Sequence, residues 1–140
     1  MRTGYAAAAA LALDTAVILA FVLIGRASHH EAGGLAGLLH TAWPFLVGLA
    51  VGEVATRAWR RPMALVPTGV GVWLSTVTIG MIARVAAGQG TAIAFIAVAL
   101  GFLGLFLIGW RGAARLLGRQ WPARQARHPG EPNKFGGSVS

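Results

Sequence analysis

Several ionisable side chains stand within apolar runs of this sequence, although the interior of a membrane usually excludes such groups. Asp14 lies near the middle of the first run, His40 lies in the second, and Arg84 lies near the end of the third. A charged group in such a place costs free energy unless a partner satisfies it, so each is a candidate functional residue. We expect Asp14 to be protonated and to donate a hydrogen bond. Two interpretations of that bond stay open, attachment to a neighbouring helix and a proton relay.

The predicted partners of Arg84 belong to the second apolar run. Pro44 has no amide proton and its ring clashes with the carbonyl of His40, which therefore lacks its helical partner. This carbonyl, the imidazole of His40 and the ring of Trp43 are all suitable partners for a guanidinium. The alternative is that Arg84 only extends towards the lipid headgroups.

A comparison of depths extends this prediction to one polar pocket. The first and third runs cross in the same direction, so Asp14 lies level with Thr76, and Arg84 lies about 10 Å further along the third helix at 1.5 Å per residue. Arg26 closes the first run at the same end. The predicted pocket has seven residues, namely Asp14, Arg26, His40, Trp43, Pro44, Thr76 and Arg84.

Four helices must position these residues. The apolar runs cover about 5–25, 36–56, 68–87 and 91–110, and each is long enough to cross a bilayer. We predict an all-α bundle of four transmembrane helices within a membrane domain of residues 1–118. The basic tail, residues 119–140, is expected to be disordered. The stretch from Trp110 to Trp121 alternates apolar and basic residues, which predicts an interfacial helix.

The distribution of charge predicts the orientation. Of the 12 Lys and Arg residues, all but Arg26 and Arg84 fall on the side that holds both termini. The positive-inside rule therefore places both termini in the cytoplasm and the chain in the cytoplasmic (inner) membrane. Glu53 and Arg57 are spaced as a local helical ion pair near that side.

The composition argues against several classes of function. Hydrophobic residues make up 56% of the chain, charged residues only 11%, and Cys is absent, so thiolate metal sites are excluded. His29, His30, Glu31 and His40 do not have the spacing of a metal site. No standard catalytic or phosphate-binding motif is present. We therefore expect no enzyme activity, no metal and no cofactor. The basic tail lacks the interleaved aromatic residues of a nucleic-acid site, so we expect no nucleic-acid partner.

Five ordered motifs carry a resemblance to a known family. They are GRASHH (25–30), TAWPFLVGLAVG (41–52), WRRP (59–62), PTGVGVWLSTVTIGM (67–81) and the pattern from Arg84 to Phe95 that contains GQGTA. Residues 5–115 thereby resemble the domain-of-unknown-function family 3054. The resemblance implies a small prokaryotic multi-pass membrane protein and assigns no activity.

Three functional hypotheses follow. The first is a small permease-like transporter with a polar pocket on the outward side. The second is an accessory or structural membrane protein in which the polar groups only hold helices together, and the third is a membrane enzyme acting on a lipid-linked substrate. Four spans leave little room for a solute pathway. We therefore expect a homo-oligomer or a membrane-protein partner, with contact through Gly48-xxx-Gly52 and Ala97-xxx-Gly101.

Overall fold

The structure is a computed structural model in which residues 2–125 are described, with side chains as far as residue 119. The predictions for residues 126–140, the greater part of the basic tail, lie outside this range. Four α-helices dominate the described residues: α1 (Arg2–Ser28), α2 (Gly34–Thr56), α3 (Val70–Ala86) and α4 (Ile93–Gln125). A 3-10 turn (Ala58–Arg60) and a short π-helical segment (Leu65–Gly69) lie between α2 and α3.

The helices begin and end where local chemistry dictates. Gly33 precedes α2 and Gly34 is its first residue; their φ angles of 120° and 51° are values that glycine adopts without the steric cost of a Cβ. At the other end of α2, Arg57 has left-handed dihedrals and its N–H bonds to the carbonyls of Glu53 and Val54. Arg57 thereby leaves the helical path that would hold it beside Glu53.

Helix α4 is longer than the predicted span of 91–110. It continues to Gln125, so the described residues between Trp110 and Gln125 extend the membrane helix itself. The sequence between Ile93 and Trp121 contains no proline. Helical geometry therefore persists beyond the point at which the apolar composition ends.

The four helices pack as a ring in which each contacts its two neighbours in sequence and α4 contacts α1. The closest approach is between α2 and α3. A Cβ added to Gly48 would lie 2.7 Å from the carbonyl oxygen of Thr76, and one added to Gly52 would lie 3.0 Å from the Cα of Val72. The Gly48-xxx-Gly52 motif, predicted as a contact between chains, therefore packs within one chain.

The outer surface of the bundle is apolar. Large hydrophobic side chains are exposed on every helix, including Leu23, Val54, Ile82 and Leu105. Four helices in the described part of the chain are long and apolar enough to cross a membrane: Arg2–Ser28, Gly34–Thr56, Leu65–Ala86 and Ile93–Arg119. The predicted all-α, four-helix membrane fold is confirmed.

Candidate functional site

Two arginine sites occupy opposite ends of the bundle. We name the end that carries Arg2, Arg60 and Arg61 the basic end, and the end that carries Arg26 and Arg84 the opposite end. Each site has an arginine that is at least nine-tenths buried, Arg111 towards the basic end and Arg84 at the opposite end. The two guanidinium groups differ in what surrounds them.

The Arg111 cluster consists of Arg111, Asp14, Trp110 and Glu53. Arg111 and Asp14 are both 0% exposed, and their side chains form a bidentate pair with distances of 2.9 Å (Nη1 to Oδ1) and 2.6 Å (Nη2 to Oδ2). The indole Nε1 of Trp110 donates a further hydrogen bond of 2.8 Å to Asp14 Oδ1. This parallel geometry is the strongest arrangement available to an arginine and a carboxylate.

The remaining donors of Arg111 bind backbone oxygens. Nε donates to the carbonyl of Pro62 at 3.0 Å, and Nη1 also donates to the carbonyl of Leu107 at 2.8 Å. Gly69 gives the side chain room, since a Cβ there would lie 3.2 Å from Arg111 Cδ. Arg111 therefore joins α1, α4 and the loop that leads into α3.

These contacts correct two predictions from the sequence. Both oxygens of Asp14 accept hydrogen bonds from N–H donors, so Asp14 is an acceptor in these contacts and not the predicted donor. Glu53 faces Arg111 rather than Arg57, with its Oε1 at 3.9 Å from Arg111 Nη2. That oxygen is buried and has no hydrogen-bond partner among the described residues.

Arg84 makes only neutral contacts at the opposite end. Nη1 donates to the side-chain oxygen of Gln89 at 3.0 Å, and Nη2 donates to the carbonyls of Gln89 and Gly90 at 3.3 and 3.2 Å. The guanidinium lies over the ring of Phe95, 4.5 Å from its centroid. Its Nε is buried and has no acceptor within the described residues.

Gln89 stands between Arg84 and the proline kink of α2. The amide Nε2 of Gln89 donates to the carbonyl of His40 at 2.9 Å, which is the carbonyl that Pro44 leaves without its helical partner. The predicted direct contact of Arg84 with this carbonyl is therefore corrected to a contact through Gln89. The aromatic partners of Arg84 are Phe95 and Phe45, in place of Trp43, which is 40% exposed.

Arg26 closes the same end from α1. Its Nη1 pairs with Glu31 Oε2 at 2.9 Å and donates to the hydroxyl of Thr41, also at 2.9 Å. Its Nη2 donates to the carbonyl of Ala32. These bonds hold the end of α1 against α2 and the loop between them, and they neutralise the charge of Arg26 with a carboxylate.

A cavity of about 700 Å³ lies between these two arginines. We name it the Arg84 cavity. Arg26, Glu31 and Arg84 contribute charged groups to its lining, while Phe21, Phe45, Phe95 and Phe102 form apolar walls. Ile24 and Val98 also line it and are 55% and 58% exposed, so the cavity reaches the lateral surface between α1 and α4.

The seven predicted pocket residues thus separate. Arg26 and Arg84 line the Arg84 cavity, and Gln89, which the sequence reasoning missed, lines it with them. Pro44 is buried, and His40 meets the cavity only through Gln89. Thr76 is fully buried against α2, and its hydroxyl has no partner in the described residues. Asp14 belongs to the Arg111 cluster, whose Arg111 and Trp110 the sequence reasoning assigned to the membrane interface and tail.

The geometry offers no metal-binding arrangement in residues 2–125. No group of three or more His, Cys, Asp or Glu side chains comes together there. His29 lines the Arg84 cavity beside Glu31, but the carboxylate of Glu31 is paired with Arg26. The described charged side chains form ion pairs, hydrogen bonds and cation–π contacts.

Comparison with known proteins identifies the family. A family model described as protein of unknown function (DUF3054) matches residues 11–114. The chain belongs to this family. The matched range contains Asp14 and Arg111 as well as Arg26 and Arg84, so both arginine sites lie within the family domain. No curated protein and no solved structure gives a significant match.

Proposed function

We propose that this membrane protein is a small permease-like transporter whose solute enters the Arg84 cavity. The observation that carries the proposal is a cavity of about 700 Å³ inside four apolar helices, with Arg26 and Arg84 on its wall. This volume falls within the usual range of small-molecule sites, and polar groups at membrane depth commonly mark substrate pathways. The proposal assigns binding and passage to the site, without a chemical step.

The direction of the cavity follows from an orientation that we also propose. The basic end carries Arg2, Arg57, Arg60 and Arg61, and basic loops remain on the cytoplasmic side of a membrane. The Arg84 cavity then faces outward and both termini lie in the cytoplasm, within the inner membrane. The absence of Cys from the sequence allows a direct test by single-cysteine labelling.

For the labelling test, Ser28→Cys and Arg60→Cys place one thiol at each end of the bundle, at exposed positions. An impermeant thiol reagent added to intact cells should modify Ser28→Cys and should modify Arg60→Cys only after the membrane is opened. The reverse pattern would invert the orientation and turn the cavity towards the cytoplasm.

Transport is tested by solute profiling of a strain that lacks the protein. We expect the cellular content of at least one small solute to differ from that of the parent strain. Wild-type protein should restore it and Arg84→Gln should not. Arg119→Gln removes one positive charge from an exposed position outside the cavity and is the matched control. Full restoration by Arg84→Gln would contradict the proposal.

An accessory or structural role is the second candidate. It is favoured by the Arg111 cluster, which joins three elements and leaves no nitrogen of Arg111 without an acceptor. In that role the protein would act with a membrane partner or as a homo-oligomer. Helix α4 presents Ala97 and Gly101 on its exposed surface, where a second helix can approach closely. Cross-linking of Ala97→Cys in membranes would detect a symmetric contact there.

A further inference from the structure

We infer that the Arg84 cavity binds an amphipathic organic monoanion, a molecule with one carboxylate or phosphodiester group and an apolar body. This inference deepens the proposed function, because it names the class of ligand for the same cavity. Three features of the cavity support it: an uncompensated charge, an unused donor and a wall of aromatic rings.

The charge balance of the lining requires one additional anion. Arg26 and Arg84 both line the cavity, and the one carboxylate that lines it, Glu31, is paired with Arg26 at 2.9 Å. Arg84 has no carboxylate within ion-pair distance among the described residues; its acceptors are an amide oxygen and two carbonyls. The lining thus carries two guanidinium groups and one carboxylate, whose charge also acts on Arg84, so its net charge of about +1 favours a counter-ion of single charge.

Arg84, which lines the cavity, also has a donor without an acceptor in the described residues. The residue is 9% exposed, and its Nε is buried without an acceptor in the described part of the chain. A buried donor without an acceptor forgoes a hydrogen bond, and an anionic oxygen forms a stronger one than a neutral oxygen does. Arg111, by comparison, uses its Nε to bind the Pro62 carbonyl.

The body of the ligand is defined by the aromatic wall. Phe21 packs against Phe45, Phe95 and Phe102 with ring centroids 5.5 to 5.9 Å apart. These rings give the cavity an apolar side opposite its charged residues. The cavity reaches the lateral surface of the bundle at its exposed lining residues Ile24 and Val98, so a ligand with an apolar body can approach from the bilayer. A hydrophilic anion such as acetate would leave these walls without a partner.

The test is equilibrium dialysis of the full-length protein in phosphatidylcholine nanodiscs, with radiolabelled octanoate as the probe. We expect saturable binding of octanoate and of 3-phenylpropionate, and at least tenfold weaker binding of octanamide and of acetate. Octanamide keeps the apolar chain and removes the charge, whereas acetate keeps the charge and removes the chain. Empty nanodiscs correct for partition into lipid.

Two variants locate the binding. Arg84→Gln removes the charge, and Ala94→Trp fills the cavity from α4 while every charge is retained; each should weaken octanoate binding at least tenfold. Arg119→Gln should bind as the wild type does. Ala94 lies on the exposed lining, so the second variant tests the inference even where Arg84→Gln fails to fold. Equal binding of octanoate and octanamide, or wild-type binding by Ala94→Trp, would overturn the inference.

The same nanodiscs distinguish two sources of the anion. If phosphatidylglycerol in the bilayer displaces octanoate from the wild type, the natural ligand is a lipid with an anionic headgroup. If octanoate binding is unchanged by phosphatidylglycerol, the ligand is a free amphipathic solute. Because dialysis requires no passage through the bilayer, retained binding without any solute transport would remove the permease proposal and leave the ligand class in place.

Discussion

Arg84 and Arg111 are both buried arginines of the same apolar bundle, but the partners of their guanidinium groups differ. Arg111 meets a carboxylate, two carbonyls and an indole, with all of its nitrogens bonded and no exposed surface. Among the described residues, Arg84 contacts only neutral oxygens and aromatic rings, its Nε has no acceptor, and it borders a cavity. The comparison separates an arginine that holds helices together from one that is available to a ligand. Burial alone does not distinguish them.

The largest expected effect is at the Asp14–Arg111 pair. Asp14→Asn removes the hydrogen-bonded counter-charge of the buried guanidinium and leaves only Glu53, whose Oε1 lies 3.9 Å from Nη2. Loss of one partner from a buried pair costs about 3–5 kcal/mol in soluble proteins. We therefore expect a large fall in the thermal midpoint in detergent. The double variant Asp14→Leu with Arg111→Met removes both charges and should recover most of the loss. A double variant as unstable as Asp14→Asn would show that the pair has a role beyond mutual neutralisation.

The next effect concerns the seam between α2 and α3. Gly48→Leu introduces a side chain where even a Cβ would lie 2.7 Å from the Thr76 carbonyl. Overpacking of this kind costs roughly 1–3 kcal/mol. Gly101→Leu is the matched control, because a Cβ there meets no atom of the described chain within 4 Å. If Gly101→Leu were the more harmful in membranes, α4 would be packed against another chain.

Arg84→Lys should produce an intermediate effect and so sharpens the comparison with Arg111. Arg84 reaches three oxygens with two nitrogens and also lies over Phe95. A lysine has one compact ammonium group and cannot repeat this geometry. We expect a loss of about 1 kcal/mol in unfolding free energy, smaller than for Asp14→Asn, because Arg84→Lys leaves no buried charge without a paired counter-charge. A neutral result would indicate that Arg84 only extends towards headgroups.

The smallest expected effect is at Glu53, the second carboxylate near Arg111. Its Oε1 has no hydrogen-bond partner among the described residues and lies 3.9 Å from a guanidinium nitrogen that Asp14 already occupies. Glu53→Gln should therefore change the unfolding free energy by less than about 0.5 kcal/mol. Asp14→Asn is the matched change at the paired carboxylate. A destabilisation similar to that of Asp14→Asn would mean that both acids are needed to hold Arg111.

The surroundings of Arg84 were predictable from the sequence only in part. The free carbonyl of His40 and a guanidinium at a similar depth were both predictable, because helical rise and proline chemistry are local properties. The sequence did not reveal that Gln89, in the turn after α3, would bind that carbonyl and accept from Arg84. The conformation of a turn depends on the helices that it joins.

By itself, the sequence determined the number of helices, their approximate limits and the apolar surface, because length and composition set these directly. Tertiary structure alone decided the partner of Asp14. Arg111 is 97 residues away, at the edge of the last apolar run, and its basic neighbours suggested an interfacial role. The pairing requires α4 to continue as a helix past Trp110 and the loop at Pro62 to fold back beneath it. Contacts across such distances follow from the packing of whole helices, and no local pattern specifies them.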